Sequence, residues 1–162
     1  VLAAYVYDDG FIYYAKDKYK YNSDPNSAIT TGYIDRTIYE TNPLTHQDFN
    51  KYLHERGYRY EELYTNIDAL IREVVIGTSK ALHGTAYCNY QLFGVDIQPD
   101  EYLDVKLIEI NKGPSLTVMD NRDGSVKRKL QEDVYRVVGI TKDTFENREG
   151  DAPGFRKINI QN

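Results

Sequence analysis

Two carboxylates and one side-chain amide, those of Asp96, Glu109 and Asn111, are the groups whose types and spacing could do chemistry. Glu109 and Asn111 lie two apart, so in a β-strand they share a face. If the chain turns back about Tyr102-Leu103 as an antiparallel hairpin, Asp96 comes directly across from Glu109. Ile108 and Ile110 are then expected on the other face, against a core. Like charges opposite one another destabilise a bare hairpin, so the pair calls for compensation. A hard divalent cation such as Mg²⁺ supplies it, because Mg²⁺ takes oxygen ligands from one or two carboxylates, from water and from phosphate. The plainer alternative is a solvated polar face, which spacing alone favours because Asp and Glu are mostly exposed.

The elements that must hold these residues can be traced along the chain. Tyr90, Leu92 and Phe93 lead into Gly94-Val95-Asp96-Ile97, Pro99-Asp100 breaks the run, and Leu103 to Ile110 resumes it, which predicts the hairpin. Residues 1–14 read as another hairpin, with Asp8-Asp9-Gly10 as its turn. Residues 15–28 are polar and expected to be an exposed, mobile loop, followed by a short extended piece from Ala28 to Ile34. Thr45 to Asp48 is an N-cap pattern that opens a helix to about Arg56, stopped by Gly57. The stripe Leu63, Ile67, Leu70, Ile71, Val74 and Val75 predicts a helix over about 61–81. Arg122 to Gly124 is read as loop, and Val126 to Val138 as a helix. The chain opens on Val1-Leu2-Ala3-Ala4-Tyr5-Val6-Tyr7, which resembles the middle of a strand, so a C-terminal piece of something longer is expected. The division follows: one domain over 1–140 and a polar C-terminal extension over 141–162, without internal repeats.

Composition excludes several function classes. The 162 residues suit one domain with a real core. No apolar run is long enough to span a bilayer, and no membrane partner is expected. A net charge of -5 argues against a general nucleic-acid binder. The single Cys88 excludes a disulfide framework and a cysteine-based zinc site, and suits a reducing, cytoplasmic setting. Cys88 is read as a small buried hydrophobe, and His46, His54 and His83 as surface residues. Lys127-Arg128-Lys129 is read as a solvated helix face, with contact to an acidic peptide as the alternative, Ser115 as a turn residue, and the sixteen Tyr as packing residues. No Walker loop, nucleophile elbow or zinc motif is present.

The run Tyr90-Gln91-Leu92-Phe93-Gly94-Val95-Asp96, followed by Leu107 to Leu116 (Leu-Ile-Glu-Ile-Asn-Lys-Gly-Pro-Ser-Leu), resembles the C-terminal signature of the tubulin tyrosine ligase family. The stretch Asp123 to Asp133 is similar to that family's closing helix. The resemblance implies an α+β chain, the C-terminal half of an ATP-grasp domain, with a twisted antiparallel sheet packed with helices. It implies that Asp96, Glu109 and Asn111 are Mg²⁺ ligands, two ions being expected, and that Ile108 lines the adenine pocket of ATP. It implies an enzyme that converts a protein or peptide carboxylate, such as a tubulin tail, to an acyl phosphate for attack by the amine of Tyr, Glu or Gly.

Departures from the family's pattern matter as well. Where the family carries His-Leu-Thr-Asn, this chain has Ala28-Ile29-Thr30-Thr31, so Thr30 alone is retained as a nucleotide-side contact. The family's N-terminal half, with its lysines, glycine-rich loop and Asp-x-Arg motif, has no counterpart, and one wall of the nucleotide cleft remains. Little ligase activity is expected of this piece alone, and no catalytic residue is assigned. Two alternatives stay open: an ATP-grasp ligase for a small peptide or metabolite, which the overall acidity favours, and a noncatalytic protein that retains the fold.

Overall fold

The computed structural model describes residues 2–21, 24–32, 34–82, 89–140 and 152–160. Its elements run β1 (Ala4–Tyr7), α1 (His46–Glu55), α2 (Glu61–Thr78), β2 (Gly94–Pro99), β3 (Val105–Asn111), α3 (Asn121–Val137) and β4 (Phe155–Ile158). Short 3-10 turns occupy Pro25–Ser27, Arg36–Glu40 and Ser79–Ala81. The fold class is α+β, and the described strands form two separate antiparallel pairs, β1 with β4 and β2 with β3.

The expected N-terminal hairpin does not form. Phe11 bridges Thr45, and β1 pairs with β4 in the register Ala4 with Ile158 through Tyr7 with Phe155. Asp8-Asp9-Gly10 is turn chemistry put to another use: the Asp9 carboxylate accepts the backbone N–H of Gly10 and of Gln47 at the start of α1. What wins the strand is aromatic packing. The Phe155 ring lies edge-on to Tyr7 at 4.9 Å and to Tyr5 at 6.5 Å between centroids. Phe155, Ala152 and Val134 are buried together, with Tyr5, Tyr7, Leu92, Leu130, Val137 and Val138 packed around them. The segment 152–158, read from sequence as part of an unperiodic tail, thus supplies both a strand and core residues.

The helices follow their signals closely. Thr45 caps α1 with a reciprocal box, its hydroxyl accepting the Asp48 N–H while the Asp48 carboxylate accepts the Thr45 N–H. Gly57 takes the left-handed conformation that ends the helix, with φ of 74°. The α2 helix spans Glu61–Thr78 and continues as a 3-10 turn to Ala81, matching the expected 61–81. The third helix starts earlier than expected. Asp120 and Asp123 form a second capping box, so residues 122–124 are its first turn and not loop. Gly124 misled because glycine suggests a turn; here it admits Val118, whose Cγ1 would lie 2.8 Å from an added Cβ. The described residues of the expected extended piece, 28–32 and 34, form turns and bends rather than a strand, with one bridge between Thr30 and Ala15.

Two acids are nearly inaccessible, and each is compensated. Asp133 receives Lys129, Arg136 and the Tyr7 hydroxyl. Asp123 receives Lys127 and the backbone N–H groups of Met119 and Asp120. Both obey the rule that buried carboxylates are paired and hydrogen-bonded. The basic run 127–129 is therefore not a merely solvated face, since Lys127 is itself mostly buried. His46 also departs from expectation. It packs beside Gly10 and the Tyr64 ring, and burial lowers its pKa, while His54 is exposed. Cys88 and His83 lie outside the described residues.

Candidate functional site

The second hairpin forms where the alternation of apolar residues places it. Pro99 ends β2, and the Asp100 carboxylate closes the turn by accepting the N–H of Tyr102 and of Asp104. The register brings Asp96 opposite Glu109 and Gly94 opposite Asn111. The Asn111 side-chain N–H donates to Glu109 Oε1 at 2.9 Å. Asp96, Glu109 and Asn111 thus meet on one ribbon, in a solvent-exposed setting.

Two carboxylates face one another in this group, and the Asn111 amide N–H donates to one of them. Partial desolvation, and after it the charge of Glu109 and a hydrogen bond with it, raise the Asp96 carboxyl above its ordinary value. Among the described residues no three His, Cys, Asp or Glu side chains converge on a metal position. The candidate set is therefore two carboxylates and an amide oxygen, all hard donors. Such a set fits a cation that completes its shell with water and phosphate, as Mg²⁺ does.

The ribbon contains an irregularity that periodicity did not reveal. The register shifts between Asp96 and Ile97, so that Ile97 pairs with Leu107 and Ile108 is the additional residue of a β-bulge. Strict alternation would have turned Ile108 away from Glu109 into a core. Instead Ile108 is 64% exposed and Ile110 is 41% exposed, which corrects the expected burial of both. Thr30 belongs elsewhere: it is exposed, bridges Ala15, and has no described contact with the ribbon.

Two supporting groups were not legible as such. Gln91 donates from its side-chain amide to the carbonyl of Lys112, tying the segment before β2 to the residue after Asn111. Lys127 donates to the carbonyl of Thr117 and to Asp123, which anchors the loop from β3 to α3. The i, i+4 spacing of Asp123 and Lys127 was the available signal for the second. A shallow cleft of about 360 Å³ opens at this end of the ribbon, lined in part by Tyr90, Gln91, Lys112, Pro114 and Leu116.

Comparison with known proteins places this geometry in a family. The family model described as "Tubulin-tyrosine ligase family" matches residues 1–146. The "Tubulin polyglutamylase ttll-4" of Caenorhabditis elegans is 30% identical over an alignment covering 86% of this chain and 26% of that protein. The "Probable tubulin polyglutamylase TTLL9" of Rattus norvegicus is 29% identical, covering 86% and 32% respectively. The "Probable tubulin polyglutamylase TTLL2" of Homo sapiens is 28% identical, covering 98% and 29%. The chain thus spans about a quarter to a third of the length of these relatives. With more than half of its length matched by the family model, the chain belongs to the tubulin-tyrosine ligase family.

Proposed function

We propose that the intact protein is an ATP- and Mg²⁺-dependent carboxylate–amine ligase that adds glutamate to a protein carboxylate through an acyl phosphate. The observation that carries this is Asp96 facing Glu109 across a ribbon on which Asn111 is bonded to Glu109, in a chain of this family. Membership of the family implies an ATP-grasp-like fold, and the polyglutamylase names of the relatives favour glutamate over tyrosine or glycine. Asp96, Glu109 and Asn111 would hold Mg²⁺, which when bound neutralises phosphate charge during phosphoryl transfer. The Asn111 amide fixes one oxygen of Glu109 and keeps its own carbonyl oxygen for a cation. Ile108, exposed at the bulge, would pack on adenine.

The test uses the full-length protein, with thermal denaturation in Mg²⁺-ATP and incorporation of labelled glutamate into a glutamate-rich acceptor peptide. The wild type is expected to gain stability with Mg²⁺-ATP and to label the peptide, and Glu109→Gln to do neither. A wild type unmoved by saturating Mg²⁺-ATP, or a Glu109→Gln variant with full activity, would overturn the proposal.

A further inference from the structure

We propose that Asn66 of α2 is a positioning residue that sets the inclination of the ligand-bearing ribbon by gripping the tip of its turn. The inference rests on the proposed metal-holding role of Asp96, Glu109 and Asn111. A two-stranded ribbon is marginal by itself, and most of β3 is exposed. Its aim therefore depends on what holds it to the helices.

The tip is over-determined. Leu103 has φ of 65°, which alone among the described non-glycine residues is positive, and a residue with a β-carbon pays for that conformation. Such a backbone persists where its surroundings enforce it. Here the Leu103 N–H donates to the Asp100 carbonyl, Asp100 gathers the flanking N–H groups, and the Asn66 side-chain N–H donates to the Leu103 carbonyl at 2.9 Å. The turn thus fixes a carbonyl in an unfavourable conformation and presents it to a helix. That arrangement serves no purpose in a free-standing turn, where glycine would be the natural choice.

The lever arm gives the grip its consequence. Asp96 precedes Asp100 by four residues, about 13 Å along the strand. A tilt of about 5° at the tip would move the carboxylates by about 1 Å, enough to matter for groups that position phosphate. Asn66 touches neither carboxylate; it acts through the turn.

Asn66→Asp keeps the shape and loses the donor, and Asn66→Ala is a second variant free of added charge. Amide hydrogen exchange on this chain is expected to quicken about fivefold in 94–99 and 105–111 while α1 and α3 keep their rates. In the full-length protein, the Mg²⁺ concentration that half-saturates glutamate incorporation is expected to rise about fivefold with kcat nearly unchanged. A merely structural residue would quicken exchange everywhere, α1 and α3 included, and leave the Mg²⁺ dependence alone. Wild-type exchange in the ribbon, or a wild-type Mg²⁺ midpoint, in both variants overturns the inference alone. A wild-type protein indifferent to Mg²⁺ overturns the metal assignment, and this inference with it.

Discussion

Removing one of the two facing carboxylates should make the metal-free chain more stable, although it destroys the proposed ligand set. Asp96 and Glu109 are direct cross-strand partners, and the Asp96 carboxyl is raised by desolvation and by Glu109. Because both residues are exposed, the water-like limit of Coulomb's law applies, about 1 kcal/mol at a separation of 4 Å. Salt and solvent screening reduce it, and cross-strand pairs span about 0.2–1 kcal/mol. Asp96→Asn should therefore stabilise by about 0.5 kcal/mol at pH 7, a Tm increase of about 1–2 °C for a chain of this size. The pH dependence has a definite sign. A carboxyl with a raised folded-state pKa contributes stability below its ordinary value and loses it as pH rises through the raised value. The gap between variant and wild type should thus close below about pH 4. Thermal melts in chelator and low salt, at neutral and acid pH, provide the assay. A variant that melts below the wild type at pH 7 without metal would refute the claim that the pair is in net repulsion.

Two further predictions concern packing away from the ribbon. Burial lowers the pKa of His46, against which the nearby Asp9 pulls and with which Arg156 acts. Its contribution is complete above the unfolded pKa of about 6.5 and falls as pH drops below it, so His46→Gln should flatten the decline in urea midpoint between pH 7.5 and pH 5.5. Gly154, at φ of 74°, has no room for a methyl group: a Cβ would lie 2.6 Å from Asp133 Oδ2 and 2.8 Å from Tyr7 Cε2. Gly154→Ala should cost about 2 kcal/mol or more in urea denaturation, while Gly57→Ala, with open space around it, should cost only about 1 kcal/mol.

What the sequence revealed and what it hid divide along physical lines. Local signals were readable: Thr45 with Asp48 marked α1, the stripe from Leu63 marked α2, and Pro99-Asp100 between alternating runs marked the hairpin. Counting about Tyr102-Leu103 also paired Asp96 with Glu109, but the observed turn is offset by one residue, and it is the bulge at Ile108 that restores this pair. Long-range choices were hidden. Tyr7 had a plausible partner a few residues away and took Phe155 instead, for an aromatic cluster that no local pattern announces. Asp123-Gly124 looked like a turn because the burial that makes glycine necessary there comes from Val118 and Arg128. Within the site, residue types were legible, whereas the additional residue at Ile108 was not, since a bulge leaves the composition of a strand unchanged.

That additional residue also divides the ribbon into two parts whose facing is independent. From Gly94 to Asp96 the partners obey one phase, and from Ile97 to Pro99 they obey another, displaced by one position. Excising Ile108 would restore a single phase and turn every side chain of one part through half a revolution relative to the other. With the insertion present, the part next to the turn that Asn66 holds and the part that carries Asp96 and Glu109 follow separate phases. Ile108 works as a joint between the part that leads to the turn and the part that carries Asp96, Glu109 and Asn111, and its loss would be felt as a misdirected face before it was felt as a missing side chain.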